Sequence, residues 1–190
     1  MEATLSRREG VVVGFFWIVV VAVGLLVAYQ AVTGGASRQE RAAHAEAQTE
    51  VLEKKIANLE AAARANPNNL QGLVTLGDAY LDSRRGQDAL RVFLQAETIA
   101  PDDVHVLSDL GTIYQQSGRV DEALAKFGRI VELDPSQVSA RVHLGLLYQS
   151  TGNAQKALET FKAALALNPE PRYAEMIRSQ ITKLESEHGK

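Results

Sequence analysis

From residue 70 onward, apolar side chains recur at intervals of three and four. Leu73, Leu76 and Tyr80 fall on one side of a predicted helix, and Ala89, Phe93 and Ala96 on one side of a second. Arg85-Gly86 supplies a turn between them, where glycine can adopt positive φ, and Pro101 closes the unit. This order returns twice, so the pattern predicts three antiparallel helical hairpins. Upstream, Ala45, Thr49, Leu52, Ile56, Leu59 and Ala63 alternate by four and three. They predict a helix packed on the first hairpin, with a short coiled coil as the alternative. Downstream, Tyr173, Ile177, Ile181 and Leu184 form one apolar stripe on an otherwise charged helix, as expected of a cap over the last interface of a stack.

The recurrence has a fixed period. Prolines stand at 67, 101, 135 and 169, each 34 residues from the next. Leu76-Gly77, Leu110-Gly111 and Leu144-Gly145 keep that spacing, as do Tyr80, Tyr114 and Tyr148. Ala89-Leu90, Ala123-Leu124 and Ala157-Leu158 follow, and then Phe93, Phe127 and Phe161. Gly86, Gly118 and Gly152 punctuate the middle, the first displaced by two. Asp88, Asp121 and Asn153 stand near the start of each second helix, where acids and cap residues suit the positive end. Small residues at Gly77 and Ala89 predict a close helix crossing, with Phe93 and its equivalents filling space towards the next repeat.

These residues resemble the tetratricopeptide repeat, whose pattern sets Leu-Gly, Tyr, Ala, Phe and Pro at fixed offsets. The resemblance implies an all-α fold, a right-handed solenoid of helical hairpins, whose first helices line a concave binding face. Expected boundaries are repeats at 70–103, 104–137 and 138–171, preceded by a linker and degenerate half-repeat at 33–69 and followed by a capping helix and tail at 172–190. The pattern departs at Leu73, Leu107 and Arg141, which replace the first-helix aromatic, and at Ile130, which replaces alanine. Arg141 implies a position partly open to water. The stretch "LEAAARANPNNLQGLVTLGDAYLD" is similar to bacterial extracytoplasmic repeat proteins and to the repeat domain of cytochrome c maturation factors.

The N-terminus changes the picture. No charged residue lies between Glu9 and Arg38, and Val11–Tyr29 would span about 28 Å as a helix. That approaches the roughly 30 Å hydrocarbon core of a bilayer. The run predicts a single-pass anchor at 11–32 behind a short flank, 1–10. A cleaved secretory signal is the competing reading, although signal cores are usually shorter. Arg7 and Arg8 favour a cytoplasmic N-terminus, with the repeats exported to the periplasmic side of a bacterial inner membrane. Gly10, Gly14, Gly24 and Ala28 offer small-residue spacings suited to membrane-helix packing, or simply the glycine common in such helices.

Charge and chemistry exclude more than they offer. The net charge is −3 with no basic stripe, which argues against nucleic acid, and there is no cysteine for a disulfide or thiolate site. Phosphate-loop, His-Glu-x-x-His and Gly-x-Ser-x-Gly motifs are absent, so the chain reads as no enzyme and needs no cofactor. The histidines are His44, His105, His143 and His188. His105 and Asp109 sit four apart on one helix face and could share a hydrogen bond or a metal; a solvated groove contact is the plainer reading, and no metal site is assigned.

The resemblance places Gln71, Asp78, Asp82, His105, Ser108, Asp109, Thr112, Gln116, Ser139, His143 and Gln149 in the groove, a short, polar and somewhat acidic set. Some members of the family clamp a C-terminal carboxylate with lysine, asparagine and arginine. Here Val74, Asp78, Asp109, Ser139 and His143 take those places, so the clamp is missing. The expected function is a membrane-anchored scaffold or adaptor for protein or peptide segments. An assembly or maturation factor for a membrane complex (cytochrome c biogenesis, respiratory or secretory) is the alternative.

Overall fold

The computed structural model describes residues 42–188, and all regular structure among them is α-helical. The chain divides into two compact units, 1–52 and 53–190. In the first, the described residues 42–52 are helical, with Thr49 Oγ1 donating to the Ala45 carbonyl at 2.8 Å. The expected anchor at 11–32 and its packing residues Gly10, Gly14, Gly24 and Ala28 lie outside the described residues. Among those described, no helix is long and apolar enough to cross a membrane.

The second unit begins with α1, residues 53–65, and continues through α2 (Leu70–Asp82), α3 (Gly86–Ile99), α4 (Val104–Gln116), α5 (Val120–Leu133), α6 (Val138–Ser150), α7 (Ala154–Ala166) and α8 (Pro171–His188). From α2 to α8 each helix packs on the next. The pairs α2–α3, α4–α5 and α6–α7 are the hairpins expected from the apolar spacing.

Local chemistry explains where the helices start and stop. Asn69 and Asp103 cap α2 and α4 by accepting from the Gly72 and Val106 amides. The sequence reading overlooked both. Asp88 and Asp121 stand in the first turns of α3 and α5, as expected, and Asn153 caps α7 by accepting from Lys156 N. Asp88 also pairs with Arg85 and Arg91.

The three hairpin turns are superimposable in their bonding. The amides of Arg85, Arg119 and Asn153 donate to the carbonyls of Tyr80, Tyr114 and Tyr148 at 2.8–2.9 Å. This closure places one residue in the left-handed region: Gly118 (φ 70°), Gly152 (φ 75°) and, in the first hairpin, Arg84 (φ 59°). Gly86, displaced by two, is therefore not the turn glycine of its repeat; it opens α3.

The apolar faces meet where the pattern placed them. Phe93, Phe127 and Phe161 are essentially inaccessible, as are Ala89, Ala123 and Ala157. Their packing corrects one expectation. Each phenylalanine ring lies against the glycine of its own hairpin. A Cβ added at Gly77, Gly111 or Gly145 would stand 2.6, 2.9 or 2.6 Å from the ring of Phe93, Phe127 or Phe161. The glycine is thus required by an aromatic side chain rather than by contact between two backbones.

At the ends, Ile56 is the one fully buried residue of α1, and Tyr80 Oη donates to Glu60 Oε1 at 2.6 Å. Ala174, Ile177 and Leu184 bury the inner face of α8. Tyr173, expected in that stripe, is 41% exposed, and Ala174 takes its place. Arg141 is half-buried, and its guanidinium donates to the Pro135 carbonyl.

Candidate functional site

Because Leu73, Leu76 and Tyr80, and their counterparts in α4, turn inward, the opposite sides of these helices carry the polar residues. Gln71 and Asp82 on α2, His105 and Gln116 on α4, and Ser139 on α6 are exposed. Asp78, Ser108, Asp109, Thr112, His143 and Gln149 are half-buried. Thr112 Oγ1 is engaged by its own helix, donating to the Ser108 carbonyl at 2.9 Å.

Two junctions bring members of this set together. Between α2 and α4, His105 Nε2 lies 3.4 Å from Asp109 Oδ2 and 3.8 Å from Asp78 Oδ1. Asp109 is the more enclosed carboxylate, its side chain 22% exposed against 48% for Asp78. Its Oδ2 is shielded from solvent and receives no hydrogen bond. Burial pushes the Asp109 carboxyl above the ordinary carboxylate range; His105 opposes this, and the charges of Asp78 and Asp103 add to it.

Between α4 and α6, His143 stacks on the core ring of Phe127, centroids 4.4 Å apart and planes within 2°. Its Nδ1 is 2.9 Å from Gln115 Oε1, a partner the sequence reading did not name. Burial holds the His143 imidazole below its usual pKa, which favours the neutral ring. Gln71, Asp82, Gln116, Ser139 and Gln149 make no side-chain hydrogen bond or ion pair with the rest of the set.

None of the eleven residues is lysine or arginine. Cations at the hairpin turns and on α5 are committed elsewhere. Arg85 and Arg119 lie over the rings of Tyr80 and Tyr114 at 4.6 and 4.4 Å while pairing with Asp88 and Glu122. Lys126 pairs with Glu97 and Arg129 with Asp102, tying α5 to the preceding repeat. The α2/α4 junction therefore carries two carboxylates and an imidazole with no fixed positive charge among the residues that meet there.

Comparison with known proteins finds the same kind of repeat. Tetratricopeptide repeat family models match residues 56–104, 106–139 and 123–182. A crystal structure of MamA superposes with a TM-score of 0.67 at 22% identity, over 73% of this chain and 79% of that one. A tetratricopeptide repeat protein from Parabacteroides merdae gives 0.65 at 24% identity, over 73% and 55%. The type III secretion translocator chaperone SycD of Yersinia enterocolitica gives 0.61 at 18%, over 66% and 89%. No curated protein sequence matches the chain. As 302 solved chains share this likeness, it speaks for the fold and singles out no partner. Three family models that match within residues 56–182, with an aromatic ring seated on a glycine in each hairpin, identify this part of the chain as tetratricopeptide repeats.

Proposed function

We propose that the protein is a membrane-tethered adaptor whose repeats capture a polar or basic segment of another protein on the face shared by α2, α4 and α6. The observation that carries this reading is the acidic junction of Asp78 and Asp109, which lacks a paired lysine or arginine. A cationic side chain from a partner would supply the missing charge, and the remaining short polar groups would add many modest contacts. The apolar run at 11–32 supplies the tether, with the N-terminus in the cytoplasm and the repeats outside the inner membrane. Confinement to a membrane raises effective concentration, so modest groove affinity suffices.

The test is a fluorescence-polarisation titration of the full chain in mild detergent with labelled basic and acidic peptides, EDTA being present throughout. Basic peptides should bind more tightly, and Asp78→Ala with Asp109→Ala should erase the preference while leaving the helical circular dichroism unchanged. Preferential binding of acidic peptides would defeat the proposal. A second reading, an assembly factor for a membrane complex, draws on the similarity of residues 59–82 to cytochrome c maturation repeats. Crosslinking in native membranes separates the two: one stoichiometric membrane partner supports the adaptor, and transient client chains support the assembly role.

A further inference from the structure

We infer that Asp78, His105 and Asp109 form a binding site for a divalent ion of the zinc class. One donor atom from each of the three side chains lies within 4.8 Å of the other two, a grouping that joins two helices from successive repeats. The His105 Nε2–Asp109 Oδ2 separation of 3.4 Å matches the edge of a tetrahedron whose ligands sit about 2.1 Å from a central zinc. Asp78 Oδ1, at 3.8 Å from the imidazole, needs only a small side-chain adjustment to complete the triangle. Asp78 and His105 are on the exposed side of the cluster, so both can move at little cost.

Two further observations point to a ligand rather than to a self-sufficient polar contact. Asp109 Oδ2 is enclosed without a hydrogen bond, and an uncompensated carboxylate oxygen in that position is costly. His105 Nε2, 3.4 Å away, does not hydrogen-bond to it; an ion between them would satisfy both. The cluster is also not a general property of the array. One period later the same three positions are Thr112, Ser139 and His143, and there His143 is turned to Phe127 and Gln115 instead.

An imidazole nitrogen with two carboxylate oxygens favours zinc, nickel or cobalt over magnesium and calcium, which prefer oxygen throughout. Three protein ligands leave a fourth position open to water or to a donor from another molecule. Occupation does not require partner capture, so the ion and peptide readings can fail separately.

The test uses the purified full chain in mild detergent, without peptide, titrated with Zn²⁺ alone by calorimetry and with Co²⁺ by visible absorption. One equivalent should bind with a dissociation constant below roughly 100 µM, and the cobalt complex should show tetrahedral d–d bands. His105→Ala and Asp109→Asn should each weaken binding at least about tenfold. Asp82→Asn, on the same helix face but outside the cluster, and His44→Ala should leave it unchanged. Circular dichroism of each variant confirms folding, and the exposed His105 gives a variant whose fold is not at risk. Absence of stoichiometric binding, binding that survives His105→Ala, or equal displacement by Mg²⁺ would each overturn the assignment.

Discussion

Substituting Gly145 by alanine adds one methyl group where the structure leaves none. The new Cβ would stand 2.6 Å from Phe161 Cε1, 2.8 Å from Cζ and 2.9 Å from Cδ1. Carbon atoms rest about 3.5–4.0 Å apart, so the ring would have to retreat by about 1 Å. It has nowhere to go, because Val142, Ala157, Ala164, Ile177 and Leu184 enclose the same cluster. Overpacking costs about 1–3 kcal/mol, and contacts below 3 Å to an enclosed ring put this one in the upper part of that range, about 2–3 kcal/mol. Alanine regains up to about 1 kcal/mol of helix propensity, leaving a net loss of about 1–2 kcal/mol. For an array of this size that lowers Tm by roughly 3–8 °C.

Gly128→Ala provides the matched control. Gly128 is also inside a helix, but an added Cβ meets nothing within 4 Å, so only the propensity gain of up to about 1 kcal/mol applies. Thermal and urea denaturation followed by circular dichroism should therefore give opposite signs for the two substitutions. Phe161→Leu should cost less in the Gly145→Ala background than in the wild type, with a coupling of about 0.5–3 kcal/mol. If Gly145→Ala is as stable as wild type, or the two phenylalanine substitutions cost the same, the ring does not require the glycine.

Two further outcomes follow from single residues. Arg84→Gly removes a non-glycine residue from the left-handed region, where it costs about 1–2 kcal/mol; less the extra unfolded-state entropy of glycine, the gain should be about 0.5–1 kcal/mol by chemical denaturation, and a loss would show that the Arg84 side chain matters more than its backbone. Asp134 accepts from Ser136 Oγ (2.6 Å), Ser136 N (2.9 Å) and Gln137 Nε2 (2.8 Å), which hold its carboxyl below the usual range. With the folded value depressed, the stability it contributes is present above the unfolded value near pH 4 and is lost as pH falls through the folded one; carboxyl NMR titration should show the low value, and Ser136→Ala should raise it.

The fold was legible because period and residue type agreed at every level: apolar spacing, turn position and proline recurred together over three copies. What escaped the sequence was contact across that pattern. Glycine at 77, 111 and 145 signalled a close approach but not which atom approaches, since phenylalanine reaches back from the second helix of the same hairpin. Gly86 misled for a different reason. The turn position of its repeat belongs to Arg84, and a non-glycine residue in the left-handed region leaves no mark in composition. The His105–Asp109 spacing was visible on one helix, whereas Asp78 belongs to another repeat, and only packing α2 beside α4 turns a pair into three converging donors. Asn69 and Asp103 were legible as caps and were overlooked beside the more prominent acids of the second helices.

The aromatic ring pressed on a glycine backbone works as a mechanical detent. Two helices of a hairpin cannot slide or roll past each other without lifting the ring out of its seat. Bending is therefore left to the joints between hairpins. A partner that changes the pitch of the array would do so at those joints, keeping every helix pair intact, and the distance from Asp78 to His105 would register the motion of the first of them.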